Sequence, residues 1–247
     1  MAAAILLEDG NLFASSGIPN ANLPIAAESD PLTVGRVDGC FEFPFRSPTC
    51  VPQPQQFDAA LLGGTGRTDP LNHAHRIGGL RVVCLDSTVP GLDSGSVAPD
   101  SLSWLADQLG EPAPEGTILA MHHAPLPVVQ DLAASWELVG QPELAGVLAG
   151  SDVRAILAGH FHQAGFGLFA GIGVHAATSL CYTQDLSTGR GMRGQDGAQA
   201  WQLISVHAAT VTSTVAPIGR YPTVVAPHRA ADAPAELAAR GVRFPTA

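Results

Sequence analysis

Three apolar runs punctuate the middle of the chain: LRVVCLD at 80–86, TILAMHH at 117–123 and VRAILAG at 153–159. Each is short, contains branched side chains and stops at a turn-forming or polar residue, so each predicts a buried strand. Between the first two, PDSLSWLADQLG spaces Leu102, Leu105, Ala106 and Leu109 along one helical face. Asp100 or Ser101 can cap that helix and Gly110 closes it. PELAGVLAG (142–150) predicts a second, shorter helix ending at glycine. Strand, helix, strand, helix, strand implies an α/β sheet covered by helices. Further on, FGLFAGIGVHAATS is divided by Gly171 and Gly173 into two strands, and WQLISV and TVTSTV supply two more. That late run predicts a second sheet packed on the first.

The first 75 residues follow a different pattern, rich in Pro, Gly, Asn and Ser and without helix-length periodicity. Their Gly-rich stretch, GGTGRT, lacks the lysine of a phosphate loop and reads as a linker. The chain therefore divides into an atypical segment over 1–69, a domain over 70–217, and an Ala/Pro-rich tail over 218–247 with a short helix near Pro234–Arg240.

Composition narrows the function. Of 247 residues, 46 % are hydrophobic and 14 % charged, which excludes a disordered chain. The net charge is −10 and all 12 basic residues are arginine, so no cationic surface for nucleic acid is present. A small anionic substrate is compatible with that charge if metal ions supply the positive field. Cys40, Cys50, Cys84 and Cys181 form no C-x-x-C pair. Cys84 and Cys181 lie in apolar runs and are expected to pack as small hydrophobes. No run is long enough to span a bilayer, and MAAAILLEDG lacks a basic signal-peptide start, so the expected location is the cytoplasm.

The candidate chemistry sits where two strands end. GHFH places His160 and His162 two residues apart after Gly159, so in an extended segment both face one way. The strand 117–123 ends in His122 and His123. Neighbouring parallel strands open their carboxyl ends onto one crevice, and imidazole suits Zn, Mn and Fe. His122, His160 and His162 therefore read as metal ligands. His123 faces the opposite side from His122 and reads as a neighbour, a candidate substrate contact. His73, His75, His175, His207 and His228 stand apart and read as structural.

The stretches GGLRVVCLDSTVPG, LSWLADQL, TILAMHHAP, SDVRAILAGHFH and CYTQDL resemble the calcineurin-like metallophosphoesterases. Within them the chain is most similar, over about Pro70 to Pro217, to bacterial class III cyclic nucleotide phosphodiesterases of the mycobacterial type. The resemblance implies an αββα sandwich, a homodimer, and one or two ions of Fe, Mn or Zn. It also implies that His122 and His160 bind one ion and His162 the other, with phosphodiesters such as cyclic nucleotides as substrates.

Three motifs of that family are missing: D-x-H, G-D-x-x-D and G-N-H-D/E. The N-terminal part of the fold is thus missing or replaced. In PLNHAHR, Asn72-His73 imitates the third motif but lies too close to the strand at 80 to be its equivalent. Glu8, Asp9, Asp30, Asp38, Glu42 and Asp58 offer carboxylates without a spacing that selects one. Without a bridging carboxylate, three neutral imidazoles cannot hold two divalent cations side by side, whereas they can hold one. Two expectations follow: a phosphodiesterase impaired at its metal site, or an inactive, truncated or degenerate relative. No catalytic group is selected by the sequence.

Overall fold

The computed structural model describes residues 3–7, 12–15, 69–188, 191–224 and 233–241, the first two stretches as backbone only. In chain order the strands are β1 (Ala3–Leu7), β2 (Leu12–Ser15), β3 (His73–Ile77), β4 (Leu80–Leu85), β5 (Gly95–Ser96), β6 (Thr117–His123), β7 (Leu138–Val139), β8 (Val153–Gly159), β9 (Gly165–Phe169), β10 (Ile172–Ala176), β11 (Thr183–Gln184), β12 (Gly194–Gln195), β13 (Ala200–Val206) and β14 (Val211–Pro217). The α-helices are α1 (Pro99–Leu109), α2 (Gln141–Leu148) and α3 (Ala233–Ala239), and a 3₁₀ turn covers Asp131–Trp136.

Six strands form the main sheet in the order β3-β4-β6-β8-β10-β9. The inner four run parallel, and the edges β3 and β9 are antiparallel hairpin partners of β4 and β10. Both faces of the inner strands are covered, which is why they read as unbroken apolar runs. Val83, Leu119, Met121 and Ile156 meet Leu105 of α1 and Leu144 and Leu148 of α2. On the other face, Val82, Ile118, Ala155 and Leu157 meet Ile204 and Val206 of β13. β13 belongs to the second sheet, ordered β14-β13-β1-β2. The fold is therefore α/β, with helix, sheet and sheet layers as the sequence implied. Residues 3–7 also supply a strand, β1, that pairs in parallel with residues 202–206 of β13.

Two local expectations need correction. α1 starts at Pro99 behind Ala98, so neither Asp100 nor Ser101 caps it. Proline is preorganised for the first helical position, and this sets the start early. Ser101 is instead buried and its Oγ accepts from Asn72 Nδ2 at 2.7 Å. The β9–β10 turn is Ala170-Gly171, both with positive φ, as a tight two-residue hairpin requires. Gly173 lies inside β10, paired with Leu168 and Ala155. The glycine-rich stretch at 63–68, the six carboxylates of the first segment and His228 lie outside the described residues or side chains. Among the described residues no helix is long and apolar enough to cross a membrane.

The amino-terminal ends of β4, β6 and β8 are tied by one ion pair. Arg81, 2 % exposed, donates to Asp152 Oδ1 at 2.7 Å, to Thr117 Oγ1 at 2.8 Å and to the Glu111 carbonyl at 2.9 Å. Removing one partner of a buried pair leaves the other charge uncompensated, at a cost of about 3–5 kcal/mol. Arg81→Ala is expected to lower unfolding stability by about that much in urea titration; a loss below about 1 kcal/mol would show that the pair is not buried as described.

Candidate metal centre

At the carboxyl end of β6 the pairing with β8 slips. Ala120 opposes Leu157 and His123 opposes Gly159, so β6 carries one extra residue there. Such a bulge re-aims side chains next to it. His122 emerges exposed, while His123 turns inward and is 3 % exposed. β8 ends at Gly159, and the histidines beyond it do not continue an extended strand. His160 and His162 both adopt left-handed backbone, with φ of 76° and 53°. The Phe161 N–H closes back on the Gly159 carbonyl at 3.0 Å, a three-residue turn about His160. This departs from the alternating geometry expected of GHFH. Two side chains with this hand cost about 1–2 kcal/mol each, and such strain gathers at functional sites.

His160 and His162 each commit one ring nitrogen to a main-chain carbonyl. His160 Nε2 lies 3.1 Å from the Trp136 carbonyl, which can only accept, so Nε2 carries the proton and Nδ1 keeps its lone pair. That Nδ1 stands 3.1 Å from His122 Nε2. Two nitrogens ligating one tetrahedral zinc ion stand about 3.3 Å apart, given bonds of about 2.0–2.1 Å. By the same logic, His162 Nδ1 donates to the Tyr182 carbonyl at 3.1 Å, leaving Nε2 open. His123 has no open side: Ser87 Oγ–H donates to its Nδ1 at 2.9 Å and its Nε2 donates to the Asp93 carbonyl at 3.1 Å. Its nitrogens nevertheless lie within 4.8 Å of those of His122 and His160.

His122, His160 and His162 border one cavity of about 210 Å³, together with Thr178, Ser179 and Cys181. His123 is not among the residues lining it. Desolvation holds these imidazoles neutral, the state that ligates a metal. His160 is pushed down to about 4 by burial, with His123 adding a like-charge contribution. His122, although solvent reaches it, shifts the same way, first by desolvation and then through His123 and His160. His162 is lowered by burial. The donor set fits one ion of the Zn, Mn or Fe type at His122 and His160. Among the described residues no carboxylate lines the cavity, so none of them would offset the repulsion on a second cation.

Cys181 was missed by pattern reading. Its apolar neighbours suggested packing, yet it is exposed on the cavity wall, where the chain bends at Leu180–Cys181. Cys84 is half-buried, and burial raises its thiol to about 11. His73 and His75 occupy the exposed edge strand β3, and His175 packs on Phe166 with ring centres 5.1 Å apart. Asn72, the imitation of the third motif, braces the end of β4 by accepting from the Asp86 N–H at 2.8 Å.

No family model matches the sequence. A Rhodococcus erythropolis protein named "Probable cyclic nucleotide phosphodiesterase" is 47 % identical over 189 residues, covering 76 % of this chain and 63 % of that one. A cAMP/cGMP dual specificity phosphodiesterase of Mycobacterium tuberculosis is 47 % identical over 165 residues, covering 66 % of this chain and 52 % of that one. A 3′,5′-cyclic adenosine monophosphate phosphodiesterase of Escherichia coli is 34 % identical over 84 residues, 34 % of this chain and 30 % of that one. By sequence, the chain is similar to these bacterial proteins named as cyclic nucleotide phosphodiesterases. It spans 63 % and 52 % of the length of the two relatives it matches at 47 % identity.

Left-handed backbone at residue 160 gives a direct test, since glycine adopts it without strain. His160→Gly and His160→Ala both lose the ring, yet the glycine variant is expected to be more stable by about 1 kcal/mol. The usual order, alanine above glycine, would contradict the geometry. A second test uses pH on metal-free protein. His160 has a folded pKa of about 4 against an ordinary 6.5, so as pH falls the unfolded chain takes the proton first. Stability therefore drops between about pH 6.5 and 4, and His160→Gln is expected to flatten that slope in urea titrations.

Proposed function

We propose that this chain hydrolyses phosphodiesters, 3′,5′-cyclic nucleotides among them, with a Zn, Mn or Fe ion held by His122 and His160. One observation carries the reading: His160 Nδ1 and His122 Nε2 meet at adjacent strand ends 3.1 Å apart, a hydrogen bond that a shared ion would replace. They stand in a chain 47 % identical to proteins named as phosphodiesterases. The ion, when bound, lowers the pKa of a water and neutralises charge on a phosphoryl oxygen. The chain's own residues set the conditions for this. The Trp136 and Tyr182 carbonyls fix which nitrogen of His160 and His162 faces the cavity. His162 Nε2 keeps its lone pair on the same cavity, and the Thr178 hydroxyl, which can donate to a phosphoryl oxygen, borders that space. The reading carries a cytoplasmic location and a homodimer, as the family likeness implies.

A second reading, an inactive relative, is favoured by one observation: no carboxylate lines the cavity among the described residues. Hydrolysis of bis(p-nitrophenyl) phosphate with added Mn²⁺ separates the two. The active reading expects turnover that falls at least about 100-fold in His160→Ala, since even outer partners of metal ligands matter 10–100-fold. Equal and negligible rates in parent and variant would leave the inactive reading standing.

A further inference from the structure

His123 is buried beside the metal ligands, yet both its nitrogens are satisfied within the protein. Its surroundings close on themselves. The ring packs against His160 with centroids 4.2 Å apart. His160 donates to the Trp136 carbonyl. Two residues after Trp136, Leu138 of β7 pairs in parallel with Gly95 of β5. Gly95 in turn presses on the His123 ring so tightly that a Cβ there would stand 2.3 Å from its Cγ and 2.4 Å from its Nδ1. Ser96, next in β5, donates its N–H to the Ser87 carbonyl at 3.0 Å, tying in the serine that holds His123.

We propose that Gly95 is a positioning residue for the metal site, acting through the His123 ring to hold His160 on the Trp136 carbonyl with Nδ1 facing His122. The β5–β7 ribbon is a two-residue clip whose work is to fix one tautomer of one ligand. His123 is a spacer in that clip and not a ligand. The inference rests on the reading of His122 and His160 as a metal site, but its structural part concerns the protein without an ion. A side chain at 95 must displace the His123 ring, because the meeting atoms belong to a buried ring held on both nitrogens. That shift passes to His160 and frees Nε2 from its acceptor.

Gly95→Ala in the full chain tests this by two measurements. Long-range ¹H–¹⁵N spectra of the metal-free protein are expected to show His160 protonated at Nε2 in the parent and as mixed tautomers in the variant. Zn²⁺ affinity, read by competition with a chromophoric chelator, is expected to fall about 10–100-fold. Because Gly95 acts through one ring, Gly95→Ala combined with His123→Ala should lose no more affinity than His123→Ala alone. An unchanged His160 tautomer, or losses that simply add, would overturn the proposal. If the parent binds no Zn²⁺, the metal reading fails while the tautomer comparison still decides the role of Gly95. If Gly95→Ala does not fold, Ser87→Ala loosens the same ring without added volume. An unaltered His160 tautomer there would equally overturn it.

Discussion

A neutral imidazole has one lone pair to give, and it gives it in a defined direction only if the opposite nitrogen has somewhere to donate. The structure around this cavity is organised by that constraint. The acceptors for His160 and His162 are main-chain carbonyls, of Trp136 and Tyr182. The 3₁₀ turn at Asp131–Trp136 and the bent segment before β11 each deliver one carbonyl to one ring. A main-chain acceptor survives any substitution at its own position that keeps the local backbone, so the arrangement depends on the path of the chain more than on side-chain identity. The same dependence explains why two histidines tolerate left-handed backbone: the turn that strains His160 is the one that brings Nδ1 to His122.

The legible part of the fold was the part governed by burial on both faces. LRVVCLD, TILAMHH and VRAILAG became β4, β6 and β8 within a residue, because a central parallel strand has only one way to satisfy an apolar run. Of the late strands, β13 and β14 formed the expected second sheet, since β13 alternates buried and half-buried residues with period two, whereas β9 and β10 joined the main sheet beside β8. What lay beyond pattern reading was decided by main-chain geometry. A bulge between Ala120 and His123 leaves no mark in the letters, and nothing in GHFH announces positive φ at both histidines. β3 was missed because all its residues but one are exposed, so it carries no apolar signal. The clasp on His123 spans Ser87, Asp93 and Gly95, more than 25 residues earlier in the chain, where no local spacing could reveal it. Cys181 reached the cavity wall for the same reason, through a bend its apolar neighbours did not suggest.

Electrostatics sets the limit on what the site can do. The chain carries a net charge of −10, yet the described wall of the cavity bears no carboxylate. Among the described residues, therefore, no side chain on that wall supplies the negative charge that would join two cations, and the sequence lacks the D-x-H and G-D-x-x-D motifs. Burial compensates in one respect, keeping the imidazoles unprotonated near neutral pH so that a single ion meets ready ligands. Strand ends, strained turns and carbonyl acceptors thus bring three neutral imidazoles to one cavity wall.

Whether these imidazoles hold an ion is the question on which the functional account turns. Elemental analysis of the purified, dialysed protein by inductively coupled plasma mass spectrometry answers it. About one equivalent of Zn, Mn or Fe per chain, lost in His122→Ala, is the expected result. A parent protein that retains no metal, or a variant that retains as much as the parent, would contradict it.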